Sequence, residues 1–252
     1  MAKSQEVHTQ IHAQTQTENE KVETDGLDPS TTTLSDPETP VIYKSWDLLI
    51  YETWVLGIVS TYAWNCSVRS YLLPQFRHNI GKNHLDIGSG TAFYLRKSSI
   101  PATTKLTLLD LEKPALDLGL SRCGRPDARG IQANILRPLP VRDRFDSISM
   151  YYLLHCLPAS MSEKCAIFGH ITRNMTAEGV VHGATILGRG VRRDGRFAAH
   201  VRRGVLKAGI LHNESDNAFE FEGALRKNFG EVETRVVGSV FVFWAKGPRG
   251  GF

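Results

Sequence analysis

Four places in this 252-residue chain bring together residue types that can hold a nucleoside and act on something beside it. The first is His84 to Leu95, HLDIGSGTAFYL. Leu85 to Ile87 reads as the end of a buried strand, Gly88, Ser89 and Gly90 as a tight turn, and Thr91 onward as the start of a helix. Glycines let the backbone approach a ligand closely, and a helix start offers N–H groups without a partner of their own. The second is Asp110, twenty residues after Gly90, whose carboxylate can accept from both hydroxyls of a ribose. The third is Asn134, whose amide can bond the edge of a nucleobase. The fourth is Tyr151, Tyr152 and His155. An unperturbed histidine titrates near pH ~6.5, which suits a general base or a hydrogen-bond partner of a substrate. Asp86, inside the first strand's end, can attract a cation or an ammonium group.

Alternating strands and helices position these residues. Strands are predicted at His84–Ile87, Lys105–Asp110, Ala128–Ala133, Asp146–Met150, Val180–Leu187, Glu231–Val237 and Ser239–Ala245. Helices are predicted from Thr91 onward through Phe93–Lys97, and at Pro114–Arg122, Ser162–Asn174 and Asp216–Asn228. This pattern implies an α/β fold, a seven-stranded, mostly parallel, doubly wound sheet. The last two strands are linked by little more than Gly238, which favours an antiparallel C-terminal hairpin. In such sheets, ligands bind beyond the C-terminal strand ends, where all four places fall. Ahead of the sheet, residues 41–80 read as a helical cap. Trp46, Leu49, Ile50, Trp54, Gly57 and Ile58 share one face, and Val68 to Phe76 forms a second stretch that Pro74 bends or ends. The cap is rich in aromatic residues, and Trp54, Trp64 and Tyr152 are candidates to line a substrate site.

Composition narrows the class. Residues 1–40 hold two lysines against eight acidic residues and almost no large apolar ones, which reads as a disordered acidic tail before a single domain over 41–252. The net charge is +4, so the remainder carries +10. Cys66, Cys123, Cys156 and Cys165 form no CxxC pair, which argues against zinc, redox or disulfide use, and no metal site is expected. Neither a signal pattern nor a membrane span is evident, so a cytoplasmic protein is expected, with no membrane partner.

GSGTAF places Phe93 where a dinucleotide fingerprint needs its last glycine, and no GxxxxGK[ST] is present, which counts against NAD and against a P-loop hydrolase. LDIGSGTA, then LLD, ANILRPLP, FDSISMYYLLHCLP and AEGVVHGATIL, taken in order, resemble a class I S-adenosylmethionine-dependent methyltransferase with a Rossmann-like sheet. The cap YETWVLGIVSTYAWNC with NHLDIGSGTAFYL is similar to small fungal polyketide-cluster O-methyltransferases acting on pyrones and polyenes. The resemblance implies S-adenosyl-L-methionine as cofactor. It places Asp86, Gly88 and Gly90 along its methionine part, Asp110 at the ribose, Asn134 at the adenine amino group and Tyr151 beside the sulfonium, with Leu111 also among the cofactor-binding residues. Ala92 stands where the family often has a third glycine, and Asn134 where it often has Asp.

Methyl transfer to an enol or phenol of a small secondary metabolite is the expected function, with His155 as the catalytic candidate. The run Arg189–Lys207, with Arg189, Arg192, Arg193, Arg196, Arg202, Arg203 and Lys207, opens an alternative: an RNA or protein methyltransferase. Only Phe197 is interleaved, so a solvated basic loop and helix is the stronger reading and no nucleic-acid partner is expected. A second alternative is a non-methylating pericyclic or scaffold protein on the same fold. Oligomeric state is open.

Overall fold

The computed structural model describes residues 59–191, 195–207 and 209–250. The acidic tail, Trp54 and the first part of the cap lie outside them. The seven strands are β1 (Asn83–Ile87), β2 (Lys105–Asp110), β3 (Arg129–Gln132), β4 (Phe145–Tyr151), β5 (Met175–Ile186), β6 (Phe229–Val237) and β7 (Val240–Pro248). They form one sheet in the order β3-β2-β1-β4-β5-β7-β6. The first five are mutually parallel, whereas β7 runs antiparallel to both β5 and β6. The expected hairpin is therefore present, but β7 inserts between β5 and β6, which leaves β6 at the edge. Gly238 takes a left-handed φ of +60° in the turn, and a side chain there would collide with the Trp64 carbonyl oxygen at 2.1 Å.

The helices are α1 (Leu73–Asn79), α2 (Phe93–Arg96), α3 (Lys113–Arg122), α4 (Met161–Thr172), α5 (Arg196–Lys207) and α6 (Ala218–Asn228). Alternation along the strands splits the core between the two sheet faces. Leu106, Leu108, Tyr151, Val240 and Val242 join Phe76 of α1, Tyr94 of α2 and Leu116 of α3. Leu85, Leu109, Ile148, Phe241 and Phe243 join Phe168 of α4 and Phe221 of α6 on the other face. Pro74 starts a helix instead of ending one. A π-type turn, Val68–Leu72, runs into α1, and Pro74 occupies its first turn, where a missing N–H costs nothing. Helix α2 is one turn long and begins at Phe93, because Ala92 sits in the left-handed region with φ 55°. The helix start expected at Thr91 is thus displaced by two residues.

Candidate functional site

Strand order reverses between β1 and β4, and the crevice beyond their C-terminal ends is where an open α/β sheet binds ligands. Gly88 and Gly90 fill the turn there with φ +68° and +51°, a region costly for other residues. The Gly88 N–H donates to the Leu109 carbonyl at 2.8 Å, which ties the turn to β2. A Cβ on Gly88 would lie 2.7 Å from Cδ1 of Leu153, in the loop after β4, so this glycine lets the two loops of the crevice close on each other. A Cβ on Gly90 would meet nothing within 4 Å. Gly119 of α3 allows that helix to press against the same turn, since a Cβ there would lie 2.7 Å from Ser89 Oγ.

Two carboxylates flank the turn. Asp86 is buried and, among the described residues, accepts a side-chain hydrogen bond from Ser149 Oγ. Burial, with the nearby Asp110 charge, raises its pKa to about 7 against the opposing pull of Ser149. Asp110 is also raised, chiefly by burial, although it accepts from the Glu112 N–H at 3.1 Å. Leu111 beside it leaves half its surface exposed, an apolar face at the crevice rim, while its carbonyl takes the Gln132 amide at 3.0 Å. Asn134 lies two residues beyond β3, exposed, with Oδ1 accepting from the Leu136 N–H at 2.9 Å. That oxygen closes a local turn, so the side chain's free donors are those of its NH₂ group.

The residues after β4 divide into core and rim. Tyr151 is buried, its hydroxyl 3.1 Å from His182 Nδ1 and its ring 4.5 Å from that of Tyr94. Tyr152 has a left-handed φ of 59°, half-buries its ring against His155 at 5.6 Å and bonds its hydroxyl to Ser60 Oγ. His155 is buried, and its Nδ1 accepts from the Ile186 N–H at 3.2 Å with Thr185 Oγ1 also at 3.2 Å. An accepting Nδ1 puts the proton of the neutral ring on Nε2. Burial, reinforced by the Lys164 ammonium, pushes this histidine down to about 3. Trp64 is buried in the core, its ring 5.0 Å beneath the Arg202 guanidinium and its carbonyl accepting from the Ser239 N–H in the β6–β7 turn. Trp54, the other aromatic singled out from the sequence, lies outside the described residues.

Two groups of residues escaped the sequence reading. His84, Ser147 and Ser149 form a buried polar strip with Asp86, and their signal was the i, i+2 spacing of His84 with Asp86 and of Ser147 with Ser149 in adjoining strands. Lys164 and Asp216 form a fully buried ion pair at 2.9 Å, and Lys164 Nζ also donates to the His212 carbonyl at 2.7 Å. The His212 N–H in turn donates to the His155 carbonyl at 2.8 Å, so the loop between α5 and α6 is held against His155. No local sequence signal links two residues 52 positions apart. Within the basic run, Arg189 Nε donates to the Glu214 carbonyl and Arg202 to that of Leu187. Among the described residues no helix is long and apolar enough to cross a membrane, and no group of His, Cys, Asp or Glu is arranged to hold a metal ion.

Solved methyltransferases superpose on this sheet. A methyltransferase from Aquifex aeolicus dependent on S-adenosylmethionine matches 77% of this chain and 95% of its own, with TM-score 0.52 and 17% identity. PigF, solved with S-adenosylhomocysteine, matches 71% of this chain and 52% of its own, with TM-score 0.53 and 18% identity. These likenesses define the fold as that of the Rossmann-like methyltransferases. No family model matches the chain. Whole-length relatives settle the family. The N-methyltransferase vrtF of Penicillium aethiopicum is 70% identical over 90% of this chain and 93% of its own. The O-methyltransferase adaD of Aspergillus niger is 54% identical over 82% and 87%, and the physcion biosynthesis cluster O-methyltransferase of Aspergillus chevalieri 48% identical over 82% and 90%. The chain belongs to the S-adenosylmethionine-dependent methyltransferases, alongside these fungal enzymes.

The crevice suits that cofactor. Asp86, a buried carboxyl whose pKa burial raises to about 7, is one that a cationic partner would keep ionised, and the space at Gly90 leaves room for one to approach. Asp110 can receive a diol beside it.

Proposed function

We propose that the chain methylates an ionisable hydroxyl, an enol or phenol, of a small flat secondary metabolite of polyketide type. Bound S-adenosylmethionine supplies an electrophilic methyl group on a sulfonium. In this reading Asp86 faces the cofactor's ammonium group, Gly88 and Gly90 its methionine part, Asp110 its ribose and Leu111 and Asn134 its base. The observation that carries the choice of acceptor is the state of His155. Held neutral with its proton on Nε2, it can donate a hydrogen bond but is too weak a base to strip an unactivated alcohol. An oxygen that ionises on its own needs alignment more than a base. Two of the relatives above are named O-methyltransferases, which supports the same choice.

N-methylation is the second reading, favoured by the name of the 70% identical relative. Purified protein, methyl-labelled cofactor and a panel of hydroxylated polycyclic aromatics and matched amines separate the two. Label on oxygen in a phenol or enol is the expected result, and transfer to amines alone overturns it. A small molecule is the expected partner, since Arg189 and Arg202 of the basic run already serve the chain's own carbonyls. Salt-insensitive turnover would accord with this, and a steep salt dependence would point to a polyanionic substrate.

A further inference from the structure

Asp86 stands at the end of a hydrogen-bonded series whose direction is set from that end, because an ionised carboxylate can only accept and Ser149 Oγ donates to it. The Gly81 N–H can only donate, and it does so to Ser147 Oγ at 2.7 Å. Ser149, whose proton goes to Asp86, accepts from His84 Nε2, so the Nδ1 of the neutral ring accepts from the Ser147 hydroxyl 2.6 Å away. Neutral His84 thus carries its proton on Nε2, 3.1 Å from Ser149 Oγ. The Ser149 hydroxyl donates in turn to Asp86 Oδ1. Strand register builds this series, because His84 pairs with Ser147 and Asp86 with Ser149 across parallel β1 and β4. Aligned hydrogen bonds polarise one another, and each hydroxyl donates more strongly because it also accepts.

We infer that His84, with Ser147 and Ser149, is a positioning residue for cofactor binding: the series from Gly81 keeps Asp86 an oriented carboxylate facing the cofactor's ammonium group. The inference rests on the reading that Asp86 meets that group. The alternative role for His84, simple filling of the core, has its own support, for its ring packs edge-on against Phe76 at 5.7 Å and stacks with His182 at 6.0 Å. Core filling does not require His84 to carry a donor toward Ser149, and it makes no distinction between ligands with and without an amino-acid moiety. Burial holds His84 near 3, so the ring stays neutral at physiological pH, and the series runs toward Asp86 in its ionised form.

Calorimetric affinities for two ligands test it: S-adenosylhomocysteine, and 5′-methylthioadenosine, which lacks the amino-acid moiety. Ser149→Ala is expected to weaken S-adenosylhomocysteine by about tenfold or more, the scale of one hydrogen bond to a charged group. Ser147→Ala and His84→Leu are expected to weaken it by smaller factors, and His84→Gln, which restores a donor toward Ser149, to recover most of the loss. Methylthioadenosine affinity is expected to stay within about twofold throughout. Parallel losses for both ligands, or no loss in Ser149→Ala, overturn the inference. Asp86→Asn separates the two levels: if it weakens S-adenosylhomocysteine while Ser149→Ala does not, only the series fails, and if it has no effect the reading of Asp86 fails with it. Should His84→Leu not fold, the two serine variants decide the matter alone.

Discussion

Two histidines sit near the same crevice and are held in opposite ways. His84 is tied within two adjoining strands, to serines that are its neighbours by register. His155 is tied across the fold: to Ile186 and Thr185 of β5, to the loop at His212, and through that loop to Lys164 on α4. Both are neutral for the same reason, burial, and both are fixed in the tautomer with the proton on Nε2. The support of Asp86 on the cofactor side is thus built from strand register, whereas the side toward His155 depends on a loop between α5 and α6 clamped by the buried Lys164–Asp216 ion pair and the Asn213 side chain. A loop of that kind can be rebuilt without disturbing the sheet, and relatives that differ in acceptor atom by name are compatible with such a division.

The clamp offers the largest effect. Lys164→Met leaves Asp216 buried without its partner and is expected to cost about 3–5 kcal/mol of stability, a fall in Tm on the order of 10 °C. Adding Asp216→Leu is expected to recover most of the Tm by removing the unpaired charge. Turnover should remain low in the double variant, because the loop has lost its tie to α4, while S-adenosylhomocysteine affinity stays near wild type. A double variant with full turnover would erase the contrast between the two sides.

Asp86 and the buried histidines respond to pH with opposite signs. Asp86 has a folded pKa near 7 against 3.8 for an ordinary aspartate, so the folded protein binds its proton more readily than the unfolded chain. Its favourable contribution is complete below about 3.8 and is lost as pH rises through about 7. His84 and His155, lowered from 6.5 to about 3, contribute stability that is present above 6.5 and falls away as pH drops toward 3. Each removes roughly 2 kcal/mol between pH 6.5 and 5. Asp86→Asn is therefore expected to stabilise the ligand-free protein at pH 8 by about 2–4 kcal/mol and to steepen its loss of stability in acid. Urea denaturation at pH 5, 6.5 and 8 gives the comparison. The same substitution should weaken S-adenosylhomocysteine, a stabilising change bought at the site's expense, and a destabilised apoprotein at pH 8 would show that Asp86 has a partner the geometry omits.

The cofactor side was legible because its features are local or periodic. A strand end followed by GSG needs only a few residues to be recognised, and Asp110 falls at the next strand end by the regular alternation of elements. The mostly parallel sheet followed from the same alternation, and the hairpin from the short link at Gly238. What the sequence withheld were features created by packing. Ser147 and Ser149 look like ordinary strand residues until β4 is laid beside β1. Lys164 sits in an amphipathic helix where a lysine normally faces solvent, yet it is fully buried. Trp64 was read as facing a substrate from its aromatic surroundings, while its burial follows from contact with the β6–β7 turn, distant in sequence.

The two glycines of the turn differ in a way the motif conceals. Gly88→Ala adds a methyl 2.7 Å from Leu153 on top of left-handed strain, and is expected to lower stability by about 2 kcal/mol and cofactor affinity with it. Leu153→Ala in that background should relieve the clash and leave about 1 kcal/mol of strain. Gly90→Ala meets no protein atom, so its stability cost is strain alone, again about 1 kcal/mol. If the cofactor occupies the space over Gly90, its affinity falls more than stability does. Equal affinity losses in both variants, scaling with stability, would place the ligand elsewhere.

Asn134 should give the smallest effect, and it refines the cofactor side. Its Oδ1 accepts from the Leu136 N–H, so the side chain's first duty is to its own turn. An aspartate can perform that duty equally well, since it too offers an oxygen. Asn134→Asp is therefore expected to leave Tm within about 1 °C, and Asn134→Ala to lower stability by about 0.5–1 kcal/mol. Affinity for S-adenosylhomocysteine distinguishes the two ways this residue can meet a base. If its contribution is an oxygen accepting from the adenine amino group, Asp serves as well as Asn and affinity changes less than about threefold. If its NH₂ donates to a ring nitrogen, Asp presents a lone pair to a lone pair and affinity drops by about tenfold or more. With Oδ1 engaged in the turn, the second outcome would move Asn134 from acceptor to donor in the nucleobase contact while leaving Asp86, Gly90 and Asp110 in place.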